Sequence, residues 1–383
     1  MNFEQILSRL VAYPTVSCAD PDWDMGNRDA AEFLANLLDD QGFDCEIQAL
    51  PDRPGKVNLI ARAGPADPDT GLVLAGHLDT VPYDDSGWAS DPFRLDKRDD
   101  RLYGLGSCDM KGFIALAAET AARYARQPLA APLVILASAD EESGMDGARA
   151  LLARGQRPAR YAVIGEPTNL MPIHRHKGIL MESIRVHGKA GHSSNPAHGH
   201  NSIEAMRAVM NEVAALRESL AAEAAPGFPV PHPTLNLGVI RGGDSPNRIP
   251  ALCELQVDLR FPPETGDVDR LRQALRDRAT AALEATGCTP EFFELFVGTP
   301  AMDTPADSAV VRAAERLTGA SSRAVDFCTE GAFYNQLGME SVILGPGDIA
   351  HAHQPNEHLA CERIEPMRAI LDGLITEFCL SRH

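Results

Sequence analysis

Apolar residues along this chain gather in four short runs, 72–75, 133–137, 161–164 and 341–344, each closed by glycine or by a polar cluster. Runs of this length without alternation suit strands buried on both faces, as in a parallel sheet. Helical spacing falls before or between them at 29–41, 112–127 and 147–154, so strand and helix alternate. That order predicts a mostly parallel α/β sheet, with ligands at the carboxyl ends of its strands. An amphipathic helix is expected at 1–11, with Phe3, Ile6, Leu7, Leu10 and Val11 on one face.

From about residue 178 the pattern changes to a strand at 180–187, a helix at 202–220, strands at 234–241 and 251–261, a helix at 268–286 and a strand at 291–297. This β-α-β-β-α-β order is the split unit of ferredoxin-like folds. Residues 226–233, rich in proline, read as a loop inside it. The expected architecture is a discontinuous α/β domain, 1–178 with 299–383, carrying an inserted α+β domain at 179–298. A chain of 383 residues, longer than a single core usually grows, fits that division.

Charge narrows the partners. A formal net charge of -19 without a basic stripe disfavours nucleic acid and anionic membrane surfaces. The first residues lack a basic stretch followed by an apolar one, so neither a signal peptide nor a membrane span is expected. Eight cysteines without C-x-x-C spacing read as reduced thiols of a cytoplasmic protein.

Candidate chemistry follows the apolar runs directly. Gly76-His77-Leu78-Asp79, Asp140-Glu141-Glu142 and Gly165-Glu166-Pro167 each stand after a strand, and Cys108-Asp109-Met110-Lys111-Gly112 stands before a helix. Ala350-His351-Ala352-His353-Gln354-Pro355 follows the fourth run. Carboxylate with imidazole, and no clustered cysteine, is a zinc-type donor set. Asp109, Glu142 and Glu166 beside two dications would leave a small positive remainder, whereas the same acids without metal would repel one another at a large desolvation cost. Asp79 can share the side of His77 and accept its second N–H. Glu141 and Glu142 cannot both face one metal, so one would ligate and the other act as general base. Gly104-Leu105-Gly106 lacks the third glycine of a dinucleotide fingerprint and is set aside.

These motifs, with Gly191-His192-Ser193-Ser194, Phe327-Cys328-Thr329-Glu330 and Leu344-Gly345-Pro346-Gly347, resemble those of the M20 family of di-zinc peptidases and deacylases over nearly the whole chain. The resemblance implies a di-zinc exopeptidase-like catalytic domain with a lid or dimerisation insert, two Zn2+ per chain that Co2+ can replace, and a homodimer. It implies that Asp109 bridges the metals, that His77 and Glu166 complete one, and that Glu142 and His353 complete the other, with His351 as a neighbour. Glu141 becomes the general base, His192 assists the oxyanion, often across a dimer interface, and Asn247 and Arg260 help hold the substrate carboxylate. On the sequence alone Arg260 could equally pair with Asp258 or Glu254. The implied reaction is hydrolysis of an N-acyl amino acid, with acetylated ornithine as the first expectation and succinyl-diaminopimelate or another acyl amino acid as the alternative. A binding protein that has lost catalysis is the non-enzyme alternative, and the presence of Glu141 argues against it. The resemblance departs at Gly331-Ala332, where acetylornithine-hydrolysing members typically show Ala-Pro.

Overall fold

The four apolar runs become neighbouring strands. In the computed structural model, which describes residues 1–380, they are Leu72–His77, Leu133–Ser138, Tyr161–Ile164 and Glu340–Ile343. Leu72–His77 pairs in parallel with Leu133–Ser138 on one side and Tyr161–Ile164 on the other, and Glu340–Ile343 adds in parallel to Tyr161–Ile164. All residues of the first two are buried, which explains why their sequences do not alternate. Helix Lys111–Ala122 is buried nearly all round, and helix Phe3–Val11 buries the five apolar residues of its expected face behind a capping box of Asn2 and Gln5.

Those four strands make up the parallel part of the sheet. An antiparallel hairpin, Asp44–Ala49 with Val57–Ala63, extends the sheet beyond Leu133–Ser138, and Ile173 pairs antiparallel with Ile343 at the other side. The sheet is therefore mixed rather than mostly parallel. The first hairpin strand, Asp-Cys-Glu-Ile-Gln-Ala, is half exposed and carries no apolar run, so period-based reading passes over it. Helices end earlier than their apolar spacing suggests: 112–127 stops at Ala122 and 268–286 at Ala281, each followed by turns with i to i−3 bonds such as Thr286 N–H to Leu283 carbonyl at 3.0 Å.

The chain divides into two compact units, Met1–His174 with Asp303–Arg323 and Thr329–His383, and Arg175–Met302 with Ala324–Cys328. In the second, four antiparallel strands stand in the order Thr234–Gly242, Leu252–Phe261, Gly178–His187, Thr289–Thr299. Helices Ser202–Ala221 and Val268–Ala281 pack on one face of them around Leu180, Val209, Val257 and Leu275. Among the described residues no helix is long and apolar enough to cross a membrane, and all eight cysteines are free of disulfides.

Candidate metal centre

Strand ends and the loops beside them deliver the polar groups. His77 closes Leu72–His77, the Asp140-Glu141-Glu142 turn follows Leu133–Ser138, Glu166 follows Tyr161–Ile164, and Asp109 immediately precedes the cap of helix Lys111–Ala122. His353 lies on the loop after Glu340–Ile343. The Asp109 carboxylate stands between two imidazoles: Oδ1 is 3.2 Å from His77 Nε2, and Oδ2 is 3.3 Å from His353 Nε2. Glu166 Oε1 lies 3.9 Å from His77 Nε2, and Glu142 Oε1 lies 3.0 Å from His353 Nε2. Glu141 groups with His77 and Glu166, their donor atoms within 4.8 Å of one another. Glu142 groups in turn with His77 and Asp109, again within 4.8 Å, so both adjacent glutamates stand beside His77.

The donor set suits cations. His77, Asp109, Glu141 and Glu166 are buried, and Glu166 Oε1 has no hydrogen-bond partner. A buried, unpaired carboxylate oxygen costs free energy unless a cation meets it, and two imidazoles with several carboxylates are borderline and hard donors suited to zinc-like ions.

Crowding shifts the protonation of these groups. Burial pushes Glu141 and Glu166 well above the ordinary carboxylate range, and neighbouring acids push in the same direction. Asp109 goes the other way: burial alone would raise it, but hydrogen bonds from His353 and His77 hold it below its usual value. His353 is pushed up to about 10 by its hydrogen bonds to Asp109 and Glu142. Burial alone would lower His77, yet the Asp109 hydrogen bond and the charges of Asp79 and Glu166 raise it well above its usual value.

The surrounding groups differ in part from the expected ones. His77 Nδ1 lies 3.0 Å from the backbone carbonyl of Asp79, whose carboxylate Oδ1 stands farther off at 3.6 Å. That carboxylate instead accepts the Glu142 N–H through Oδ2 at 3.1 Å, tying one metal-side loop to the next. His351 stacks on His358 with ring centroids 4.2 Å apart. Several buried groups carried no separate role in the sequence reading. Asp140 accepts from Lys56 Nζ at 2.5 Å and the Ser17 hydroxyl at 2.8 Å, Glu330 accepts from the Tyr334 hydroxyl at 3.0 Å, and Glu357 accepts three backbone N–H groups. Asp140 and Glu330 sit inside quoted motifs, which is the signal that could have found them; Glu357, two residues past the His353 motif, and Lys56, in a Pro-Gly turn, gave none.

The remaining candidates belong to the second unit. His192 is exposed and pairs with Arg248 across a two-residue ladder, beside Asn247, whose carbonyl accepts the Ser193 N–H at 3.2 Å. Its Nδ1 lies 3.2 Å from the Ser194 backbone N, which can only donate, so the neutral ring carries its proton on Nε2. The Asn247 side chain accepts from the Ser245 hydroxyl at 2.6 Å. Arg260 Nε is 3.3 Å from Asp258, while Glu254 accepts from Ser183 and Arg185.

The model of the family described as peptidase family M20/M25/M40 matches residues 73–377. The chain belongs to this family. Relatives of the M20 chain include acetylornithine deacetylases of Pasteurella multocida, 41% identical over 99% of this chain and 98% of that one, and of Aliivibrio salmonicida, 42% identical over 98% of each. Among solved structures, an M20 metallo-carboxypeptidase from Sulfolobus solfataricus superposes with a TM-score of 0.76 at 16% identity, covering 98% of both chains. A dinuclear metal-binding M20 peptidase from Bacillus subtilis gives 0.66 at 15% identity, covering 98% of this chain and 97% of that one. At such identities these structures speak for the fold alone, and it is the M20 fold.

Proposed function

We propose that this chain hydrolyses the acetyl amide of N2-acetyl-L-ornithine to ornithine and acetate at a pair of zinc ions, for which cobalt can substitute. The observation that carries the reading is the Asp109 carboxylate held between His77 and His353 with Glu141 buried alongside. The substrate follows the named relatives, which align with nearly the whole chain. His77, Asp109 and Glu166 would hold one cation, and Asp109, Glu142 and His353 the other. When bound, the cations supply Lewis acidity to the amide carbonyl and acidify the attacking water.

Glu141 is left for proton work. It takes the proton from water and returns it to the departing amine, so its carboxylate ends each turnover as it began. His192 donates from Nε2 to the developing oxyanion, a task its Nε2-protonated ring supports. Asn247 and Arg260 hold the substrate carboxylate, with the Arg260 fork shared with Asp258. The second unit serves as a lid and as the dimerisation surface. Its outer strand Thr289–Thr299 exposes Phe293, Leu295 and Val297, and its other outer strand exposes Ile240, apolar edges of the kind a second copy would cover.

Two experiments test this reading. Zinc-loaded protein is expected to turn over acetylornithine faster than succinyl-diaminopimelate or other acetylated amino acids; activity confined to a succinylated substrate would overturn the substrate assignment. Glu141→Gln is expected to keep both metals and lose most turnover. If metal leaves together with activity, Glu141 is a ligand and its role passes to Glu142.

A further inference from the structure

Four residues beyond His353, Glu357 is buried with its carboxylate turned to backbone. Oε1 accepts the N–H groups of Cys108 at 2.8 Å and Asp109 at 3.0 Å, and Oε2 accepts that of Gly106 at 3.0 Å. The Glu357 carbonyl accepts the Gly104 N–H at 3.1 Å and the Ser107 hydroxyl at 3.4 Å. One residue therefore takes hydrogen bonds from five of the six positions between 104 and 109. Just beyond it, His358–Ala360 pairs antiparallel with Arg101–Tyr103, so the contact continues directly into a strand ladder. The loop that presents Asp109 and the loop that presents His353 are joined at Glu357.

We propose that Glu357 is a positioning residue that sets the spacing of Asp109 and His353, and through it the affinity of the site for its pair of divalent cations; this rests on the two-metal reading above. Asp109 is the group both cations would share, so slack in its backbone is felt at both. An anion suits three converging N–H donors. Glutamine would keep one acceptor oxygen but turn an NH2 group against donors, forcing at least one N–H to lose its partner in a buried place. Aspartate keeps the charge but is one methylene shorter, so it reaches fewer of the three. Outer groups that orient metal ligands typically contribute 10- to 100-fold to metal affinity.

The test compares zinc dissociation constants of the full-length wild type, Glu357→Gln and Glu357→Asp by competition with a chromophoric chelator, with folding followed by circular dichroism. A control is Glu182→Gln, which breaks a buried pair with Arg272 and Arg276 in the other unit. We expect wild type and control to bind two zinc ions equally tightly. Folded Glu357→Gln should bind zinc about 10- to 100-fold more weakly, with Glu357→Asp between. Wild-type affinity in folded Glu357→Gln would overturn the inference and leave the two-metal reading standing, whereas fewer than two zinc ions on the wild type would overturn both. If neither variant folds, Glu357 serves folding and the inference also falls.

Discussion

At Asp109, proton and metal compete for the same geometry. His353 is raised to about 10 and His77 well above its usual value only because carboxylates face them, and both imidazoles must lose their protons before they can ligate. Loading the site should therefore release protons, and affinity should fall as pH falls. Calorimetry of zinc binding in buffers of different ionisation enthalpy reads the number directly; no buffer dependence would show that the imidazoles are already neutral. Behind Glu141 stands another buried charge pair, Lys56 Nζ to Asp140 Oδ1, with side chains 3% and 1% exposed. The other cation beside Asp140, Arg53, stands at 3.9 Å and is half exposed, and removing one member of a buried pair costs about 3–5 kcal/mol. Lys56→Met should destabilise by that amount in urea and slow turnover by loosening the Asp140-Glu141-Glu142 turn. A loss below about 1 kcal/mol, the level of an exposed pair, would mean the turn is held by other contacts.

Elements explain why so much of the site was legible in the sequence. Strands buried on both faces must be apolar throughout, so the polar residue that ends each run stands out, and His77, the Asp140 turn and Glu166 are found that way. The residues that hold those loops in place are less visible. Lys56 and Glu357 act through contacts to Asp140, 84 residues away in sequence, and to Asp109, 248 away, which no local period encodes. The same reasoning accounts for the half-exposed Asp44–Ala49 strand, whose pairing with Val57–Ala63 is a tertiary fact. Glycine marks where elements approach closely: a Cβ on Gly345 would lie 2.2 Å from the Gly165 carbonyl oxygen and 2.3 Å from that of Glu166. Both are backbone atoms and cannot turn aside. Gly345→Ala should push the two strand ends apart, costing about 1–3 kcal/mol as overpacking does, and should weaken metal binding at Glu166. Thermal unfolding and metal content check both, and an unchanged melting temperature would show that the loops yield freely.

On the scale of the whole molecule, the two units divide the proposed chemistry, with the metal-side residues in one and His192 in the other. The His192 ring is exposed and protonated on Nε2, so as a donor to an oxyanion it would act mainly in the transition state. Removing one such donor typically costs about 100- to 1,000-fold in turnover with little change in substrate binding. His192→Ala should show that loss at a near-normal KM with both metals retained; near-normal turnover would leave the second unit without a catalytic task. If the chain pairs with a second copy and each copy lends its His192 to the other, two inactive proteins can repair one another. A Glu141→Ala chain keeps His192, a His192→Ala chain keeps its base, and a mixed dimer then has one complete site. Mixing the two after dissociation and reassociation should restore activity towards one half of the site count in heterodimers, the other half lacking both groups. Restoration would require the histidine to come from the partner. No restoration, with mixed dimers demonstrated by differential tagging, would assign His192 to the site of its own chain, and the lid role of the second unit would then stand without the exchange.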